Sequence, residues 1–475
     1  MSTRQNRSHE KRQAAGAAIM AAWACLALSE VACSRRPAAA EYVAAAERMR
    51  RAGLADEGAY EFLRRLTGVG PRLTGSPEAA ATVGLAAKMM IELGLDGVHA
   101  EPITVTKWVR GEKEEAAVVG PSSSGTIPLR VCALGGSIAT PEAGMTAPVI
   151  EVRSFEELDR LGPAVKGKIV FFNRPMDRTL TEPFAAYGRA GDQRVRGAVE
   201  AARHGGVAAL VRSLTFRIDG YPHTGLMTYE EGVPRVPAAA VSTADAEMLS
   251  ALLRNGSQVA VRLKMSCRTV GPVPSANVVG EITGTELPKD IILVGGHLDS
   301  WDLGTGAHDD GAGCAASLEA LRLIRAAGLR PKRTVRVVLF MDEEFGGTGG
   351  RFYAAAEARQ GERHLVAMES DRGGFLPLGI AAGQPGSGVL RRLRAWRALF
   401  EPLGVTAVGP GGGGVDVAPL IREGAVPAAV IPNAQVYFDV HHSALDVLTS
   451  VHPRELEFQA VLMATLAYVL AQEGI

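Results

Sequence analysis

From Asn277 onward the chain alternates short apolar runs of strand character with longer runs of helical spacing: IILVGG, AGCAASLEALRLIRAAG, TVRVVLF, GTGGRFYAAAEA and HLVAME. This alternation predicts an α/β fold with a mixed, mainly parallel sheet sandwiched by helices, because parallel neighbours need crossover connections and crossover helices cover both faces. Open sheets of this kind gather ligands where strand ends meet loops. The polar residues of this half fall at such places, in GGHLDS (His297, Asp299), AHDDGAG (Asp309, Asp310), MDEEFGG (Glu343, Glu344), MESDRGG (Glu369, Asp371) and FDVHHSALD (His441, His442). A last helix is expected over Pro453 to Glu473. No fixed-period repeat is present.

Upstream the texture differs. Apolar positions recur at helical spacing between residues 41 and 94, interrupted by the Gly/Pro loop VGPRLTGSP. After Val98 the pattern becomes alternating, as in ITVTKWV, and SSSG at Ser122 to Gly125 marks a domain edge. The stretch that follows carries short strands (APVIEV, KGKIVFFN, GVAALVRS, VPAAAVS) and a helix from Arg196 to His204, with no dense His/Asp/Glu cluster. The expected division is a leader over 1–40, the N-terminal part of the main domain over 41–120, a smaller β-rich α/β insert over 121–270, and the rest of the main domain over 271–475.

Length and composition bound the function. With 475 residues and 47% hydrophobic content the chain can build sizeable cores, and Lys plus Arg balances Asp plus Glu at 51 each. No global field favours nucleic acid or an anionic membrane, which leaves a small molecule or a peptide as substrate. Arg4, Arg7, Lys11 and Arg12 precede an Ala-rich apolar run from Ala14 to Leu28 that resembles a secretory signal peptide, so a secreted or periplasmic protein is expected. The run is shorter than the ~20 residues that span a bilayer, so no integral span is expected in the mature form. Lipid anchoring through Cys33 is the alternative, and Glu30 departs from the aliphatic residue usual there. Beyond the leader Cys132, Cys267 and Cys314 are an odd set without a C-x-x-C pair, expected as small buried residues and not as zinc ligands.

Taken singly, each acidic stretch has an ordinary reading as a solvated loop or a helix N-terminus. Together they supply what a paired-metal hydrolase needs. His297 and Asp299, two apart at a strand end, share a face, and a metal-binding imidazole usually gives its other N–H to a carboxylate, a place Asp299 can take. In the Asp309–Asp310 pair a carboxylate can bridge two cations, and no Gly-Lys-Ser/Thr follows to make a phosphate loop. In the Glu343–Glu344 pair one acid can bind metal while its neighbour moves a proton. Adjacent histidines such as His441 and His442 cannot both face one site from an extended segment. Three N/O ligands per ion with one shared carboxylate suit zinc, and the chemistry implied is hydrolysis of an amide.

With these residues in view the chain resembles the M28 family of metallopeptidases, and within it the carboxypeptidase Q (plasma glutamate carboxypeptidase) group. The resemblance rests on VGPRLTGSP, GGHLDSWDLGTGAHDDGAG, LRPKRTVRVVLFMDEEFGG, MESDRGGFLP and FDVHHSALD. It implies two zinc ions per chain, one held by His297, Asp309 and Asp371, the other by Asp309, Glu344 and His442, with Glu343 as general base. It also implies that Asp299 orients His297, that Asp310 shapes the loop beside the bridge, and that the middle segment is a protease-associated-like domain. His442 is preferred to His441 because Asp446 stands four residues on. His308, Asp416 and His441 are the expected substrate contacts, Asp416 for an amino group. The implied activity is a dinuclear zinc exopeptidase acting on dipeptides or short peptides, compatible with a homodimer. Two alternatives on the same fold are a glutaminyl cyclase-type acyltransferase and a catalytically silent, receptor-like protein.

Overall fold

The computed structural model describes residue 40 and residues 42–119, 125–256 and 258–475. The expected leader, with Cys33, lies outside the described residues except for its last position.

Three helices open the described chain, Val43–Ala55, Gly58–Thr67 and Pro77–Glu92. The third starts where Ser76 accepts the Ala79 N–H and Pro77 supplies a preset φ at the first turn. Strand β1 (Asp96–Val109) follows, then β2 (Glu115–Val119), β3 (Thr126–Leu129), β4 (Val131–Ala133), β5 (Met145–Val152), β6 (Ile169–Phe172), β7 (Ala208–Arg212), β8 (Ala238–Val241) and β9 (Ala260–Lys264). The long β10 (Arg268–Ile282) leads into β11 (Leu287–His297), β12 (Arg333–Phe340), β13 (Arg363–Glu369), β14 (Pro377–Ala382), β15 (Ala407–Gly409) and β16 (Val426–Pro432).

Two mixed sheets result, one in the order β1-β10-β12-β11-β13-β16-β14-β15 and the other β3-β2-β9-β5-β6-β7-β8-β4. The β12-β11-β13-β16 run of the first is parallel. Its strands alternate between two cores: Ile292, Val294, Val335 and Val337 face the Ala312–Ala326 and Pro453–Glu473 helices, while Ile291, Leu293, Val338 and Phe340 face Tyr353 and Leu420. Both faces are therefore covered, as a mainly parallel sheet requires. The second sheet alternates in the same way, with Ile169, Phe171 and Leu210 on one side and Val170, Phe172 and Val211 on the other. Its strands all lie in the chain between β1 and β10, which pair antiparallel along almost their whole length.

Besides the helix Asp192–Arg203, which begins four residues before the expected Arg196, the segment between β1 and β10 carries helices Phe155–Leu161, Pro183–Ala190 and Thr243–Arg254. Cys132, Cys267 and Cys314 are free and buried. No helix among the described residues is long and apolar enough to cross a membrane.

Candidate metal centre

The helix after β11, Ala312–Ala326, packs on one face of the first sheet, and the helix after β12, Thr348–Ala355, lies on the other with Tyr353 in its core. The loops leaving the carboxyl ends of β11, β12 and β13 diverge accordingly and open a crevice. His297 is the last residue of β11, opposite Phe340 of β12, and Asp371 follows the last residue of β13 by two.

Each side chain in the crevice is held from behind. The His297 Nδ1 lies 3.0 Å from the Asp299 main-chain oxygen, an acceptor only, so Nδ1 carries a proton and Nε2 is the nitrogen left to coordinate a metal. The Asp299 carboxylate is 3.8 Å from that ring; it accepts the N–H groups of Asp342 (2.8 Å), Glu343 (3.2 Å) and Glu344 (3.3 Å), together with the Thr74 hydroxyl (2.6 Å). Asp299 thus orients His297 through its backbone and shapes the Glu343–Glu344 loop through its side chain. Asp310 turns away from the crevice and accepts the N–H groups of His297 (3.0 Å) and Gly313 (3.1 Å). The packing there admits no side chain at two glycines: a Cβ on Gly296 would stand 2.3 Å from Asp310 Oδ2, and one on Gly313 1.7 Å from the Ser370 oxygen. Asp446 accepts the N–H groups of His308 (2.7 Å) and Asp309 (3.1 Å), anchoring the segment that carries Asp309.

Asp309 stands at the centre. Its Oδ1 is 3.3 Å from His297 Nε2, and its Oδ2 is 3.1 Å from His442 Nε2. Asp371 Oδ1 lies 3.8 Å from His297 Nε2, and Glu344 Oε2 lies 3.3 Å from His442 Nε2. The sets His297, Asp309, Asp371 and Asp309, His441, His442 each bring their ligand atoms within 4.8 Å of one another. His297 Nε2, Asp309 Oδ2, Glu344 Oε1 and Asp371 Oδ1 are buried without a hydrogen-bond partner, which is costly unless a cation meets them. The donor set of imidazole nitrogens and carboxylate oxygens fits zinc.

Electrostatics bind the cluster together. Burial works against charge on His297, but the Asp309 and Asp371 carboxylates reverse it and hold the imidazole well above its usual range. Burial would raise Asp309, yet His297 and His442 hold it well below the ordinary carboxylate value. Glu343, partly exposed at the crevice, is pushed well up by desolvation and by the charges of Asp371 and Glu344, against the pull of His297.

Two sequence expectations change here. His441 and His442 both face the site, their rings stacked at 3.5 Å between centroids, with His441 Nε2 3.5 Å from Asp309 Oδ2. The alternation argument fails because the segment is a turn: His442 has a left-handed φ of 59°. His308 is not available as a substrate contact, since its Nδ1 accepts the Gly374 N–H, its Nε2 faces the Ser450 oxygen at 3.1 Å, and its ring stacks on Phe375. Burial lowers its pKa to about 4. Asp416 is wholly buried; its Oδ1 accepts the Gly350 N–H, while its own N–H donates to Glu369, and its Oδ2 has no partner.

Other contributors escape sequence reasoning. Trp301 Nε1 donates to Glu344 Oε2 at 2.5 Å, and Arg72 and Thr74, from the loop VGPRLTGSP, reach the loops around His297 and Asp299. The repeated Gly and Pro of that loop were the available signal.

Known proteins resemble this chain in sequence and in fold. The sequence profile of Peptidase family M28 matches residues 277–467. Carboxypeptidase Q of Bos taurus is 39% identical over 421 residues, 88% of this chain and 86% of that protein, and the Homo sapiens protein of the same name is 38% identical over 422 residues, with the same two shares. A crystal structure of a Peptidase M28 precursor from Shewanella amazonensis superposes with a TM-score of 0.86 at 36% identity, covering 91% of this chain and 97% of that one. A zinc aminopeptidase from Bacillus subtilis shares the fold, with a TM-score of 0.63 at 21% identity over 88% of this chain and 96% of its own.

Proposed function

This chain belongs to peptidase family M28 and is a metallo-exopeptidase, and from that premise we propose that it is a dinuclear zinc enzyme hydrolysing dipeptides or short peptides. The observation that carries the reading is Asp309, whose two carboxylate oxygens face two different imidazoles. His297, Asp309 and Asp371 would hold one ion, and Asp309, Glu344 and His442 the other, with His441 beside it. When bound, the two ions would supply Lewis acidity that polarises the scissile carbonyl and acidifies a water.

The remaining steps belong to the chain's own groups. A Glu343 carboxylate oxygen accepts a proton from the attacking water and returns it to the departing amine, as a general base standing next to the ligand Glu344 can. Asp299, by taking the N–H groups of Asp342, Glu343 and Glu344, keeps that carboxylate and the Glu344 ligand on one rigid loop. Trp301 fixes Glu344 by its indole N–H. We further propose that residues 121–270 form a protease-associated-like domain and that residues 1–40 direct export of the chain.

The test is purified protein with zinc, offered dipeptides and the same peptides acetylated or amidated. Release of free amino acids is expected, with about two zinc ions per chain. Glu343→Gln should lower kcat by roughly 10²- to 10⁴-fold while zinc content stays unchanged. Turnover surviving that substitution, or pyroglutamate as the product from Gln-peptides, would overturn the reading.

A further inference from the structure

His442 reaches the site only because the backbone adopts a left-handed conformation, at φ 59°, which is uncommon for a residue with a side chain and persists where surroundings hold it. Hydrogen bonds within the turn, from the His441 N–H to Tyr437 and from Ser443 to Val440, are joined by others from the second sheet. Between β7 and β8 the chain passes through Tyr221–Gly225 and meets the His441–His442 turn face on. The Thr224 N–H donates to the His442 carbonyl at 2.9 Å, and the Thr224 carbonyl lies 3.3 Å from His442 Nδ1. His223 Nδ1 lies 2.7 Å from the His441 carbonyl; a carbonyl has no proton to give, so the imidazole is the donor.

This segment is itself anchored. The His223 N–H donates to the Ser213 hydroxyl at 2.9 Å, and that hydroxyl donates to the Val241 carbonyl of β8 at 2.8 Å. The Thr224 hydroxyl donates to the Ala133 carbonyl of β4 at 2.9 Å. His223 is only 2% exposed, so water does not compete for the bond to His441. A continuous set of hydrogen bonds therefore runs from the strands of the second sheet to the main chain of two histidines that face Asp309.

We propose that His223 is a positioning residue of the metal centre: by donating Nδ1–H to the His441 carbonyl it holds the left-handed turn at His442, so the second sheet sets how tightly the chain takes up zinc there. This rests on the assignment of His442 as a zinc ligand. Partners behind metal-binding histidines typically alter metal affinity by about 10- to 100-fold when removed.

The experiment measures zinc affinity of the full chain by competition with a chromophoric chelator, alongside the melting temperature of the zinc-free protein. His223→Asn places an amide N–H where Nδ1 stood, whereas His223→Gln carries its N–H further out, and His223→Phe has none. His223→Gln and His223→Phe should each bind one of the two zinc equivalents about 10- to 100-fold more weakly, with His223→Asn within about threefold of the unaltered chain. Affinities are read below the zinc-free melting transition of each variant, with His223→Asn expected to melt with the unaltered protein and His223→Gln a few degrees lower but still folded, so the Asn/Gln contrast stands even where His223→Phe fails to fold. Equal zinc affinity in His223→Gln and the unaltered chain would overturn this proposal alone. An unaltered chain that binds no zinc would overturn the function proposed above as well.

Discussion

Arg72 is completely buried, and its guanidinium donates to three main-chain carbonyls, those of Leu298, Thr305 and Gly306. These carbonyls lie along the connection between His297 and Asp309, so one side chain shapes the path between two candidate ligands. Arg72→Met would leave the Leu298 and Thr305 carbonyls without donors, while Gly306 keeps the Gly311 N–H, and a loss of about 2 kcal/mol or more is expected, read as a shift in the urea midpoint at unchanged slope. Arg72→Lys should recover only part of it, because an ammonium cannot spread its donors over three carbonyls as a planar fork does. At this scale the sequence was legible where chemistry is concentrated: paired acids and histidines at strand ends stand out, and in the structure they meet in one crevice. It was illegible where the partner is a main chain. Arg72 and Thr74 act on loops more than 200 positions away, and nothing in a short motif announces such partners. The orientation of His441 turned on the sign of one φ, which a period-two argument cannot supply.

The helix Pro453–Glu473 is apolar on every side and is buried from Leu456 to Ala471 except for Phe458, which packs against the same core. Its polar exceptions have particular partners. Glu457 accepts the N–H of Ala59 at 2.6 Å, so it caps the start of helix Gly58–Thr67 from across the core. Burial, aided by Glu319, raises the Glu457 pKa to about 8. A carboxyl whose pKa is raised on folding binds its proton more tightly in the folded state. Its contribution to stability is therefore full below about pH 4.5, its unfolded value, and is lost as pH rises through about 8. Each unit of displacement corresponds to about 1.4 kcal/mol. Melting curves between pH 5 and pH 9 should fall more steeply for the unaltered chain than for Glu457→Gln; parallel curves would exclude this role. Long or continuous apolar elements were legible from sequence, this helix and the β11, β12 and β13 strands among them. Helix Thr243–Arg254 was harder to see because it is short, 12 residues against 21, although Ser242 accepts the Asp245 N–H as an N-cap.

The whole molecule joins two sheets whose contact reaches the candidate zinc site. Removing zinc should lower global stability, since an ion that binds only the folded chain stabilises it by about 2.7 kcal/mol at free zinc 100-fold above its Kd. A calorimetric melting temperature that rises with the logarithm of free zinc is the expected result, and one indifferent to a chelator would contradict it. The profile of the peptidase family spans 277–467 and so includes His297, Asp309, Glu344, Asp371 and His442, yet Arg72, Thr74, His223 and Thr224 lie outside it. Family and fold were legible from sequence for the same reason: the residues that carry them are local in the chain. The paired β1 and β10 add an asymmetry of their own. Because the chain leaves and re-enters the first sheet on adjacent strands, its ends are already together, and lengthening the excursion between them costs only slowly growing loop entropy. Gaining such a segment is easy and shedding it is not, since deletion would strip the backing from the His441–His442 turn. In terms of gene architecture, the junction works as a ratchet.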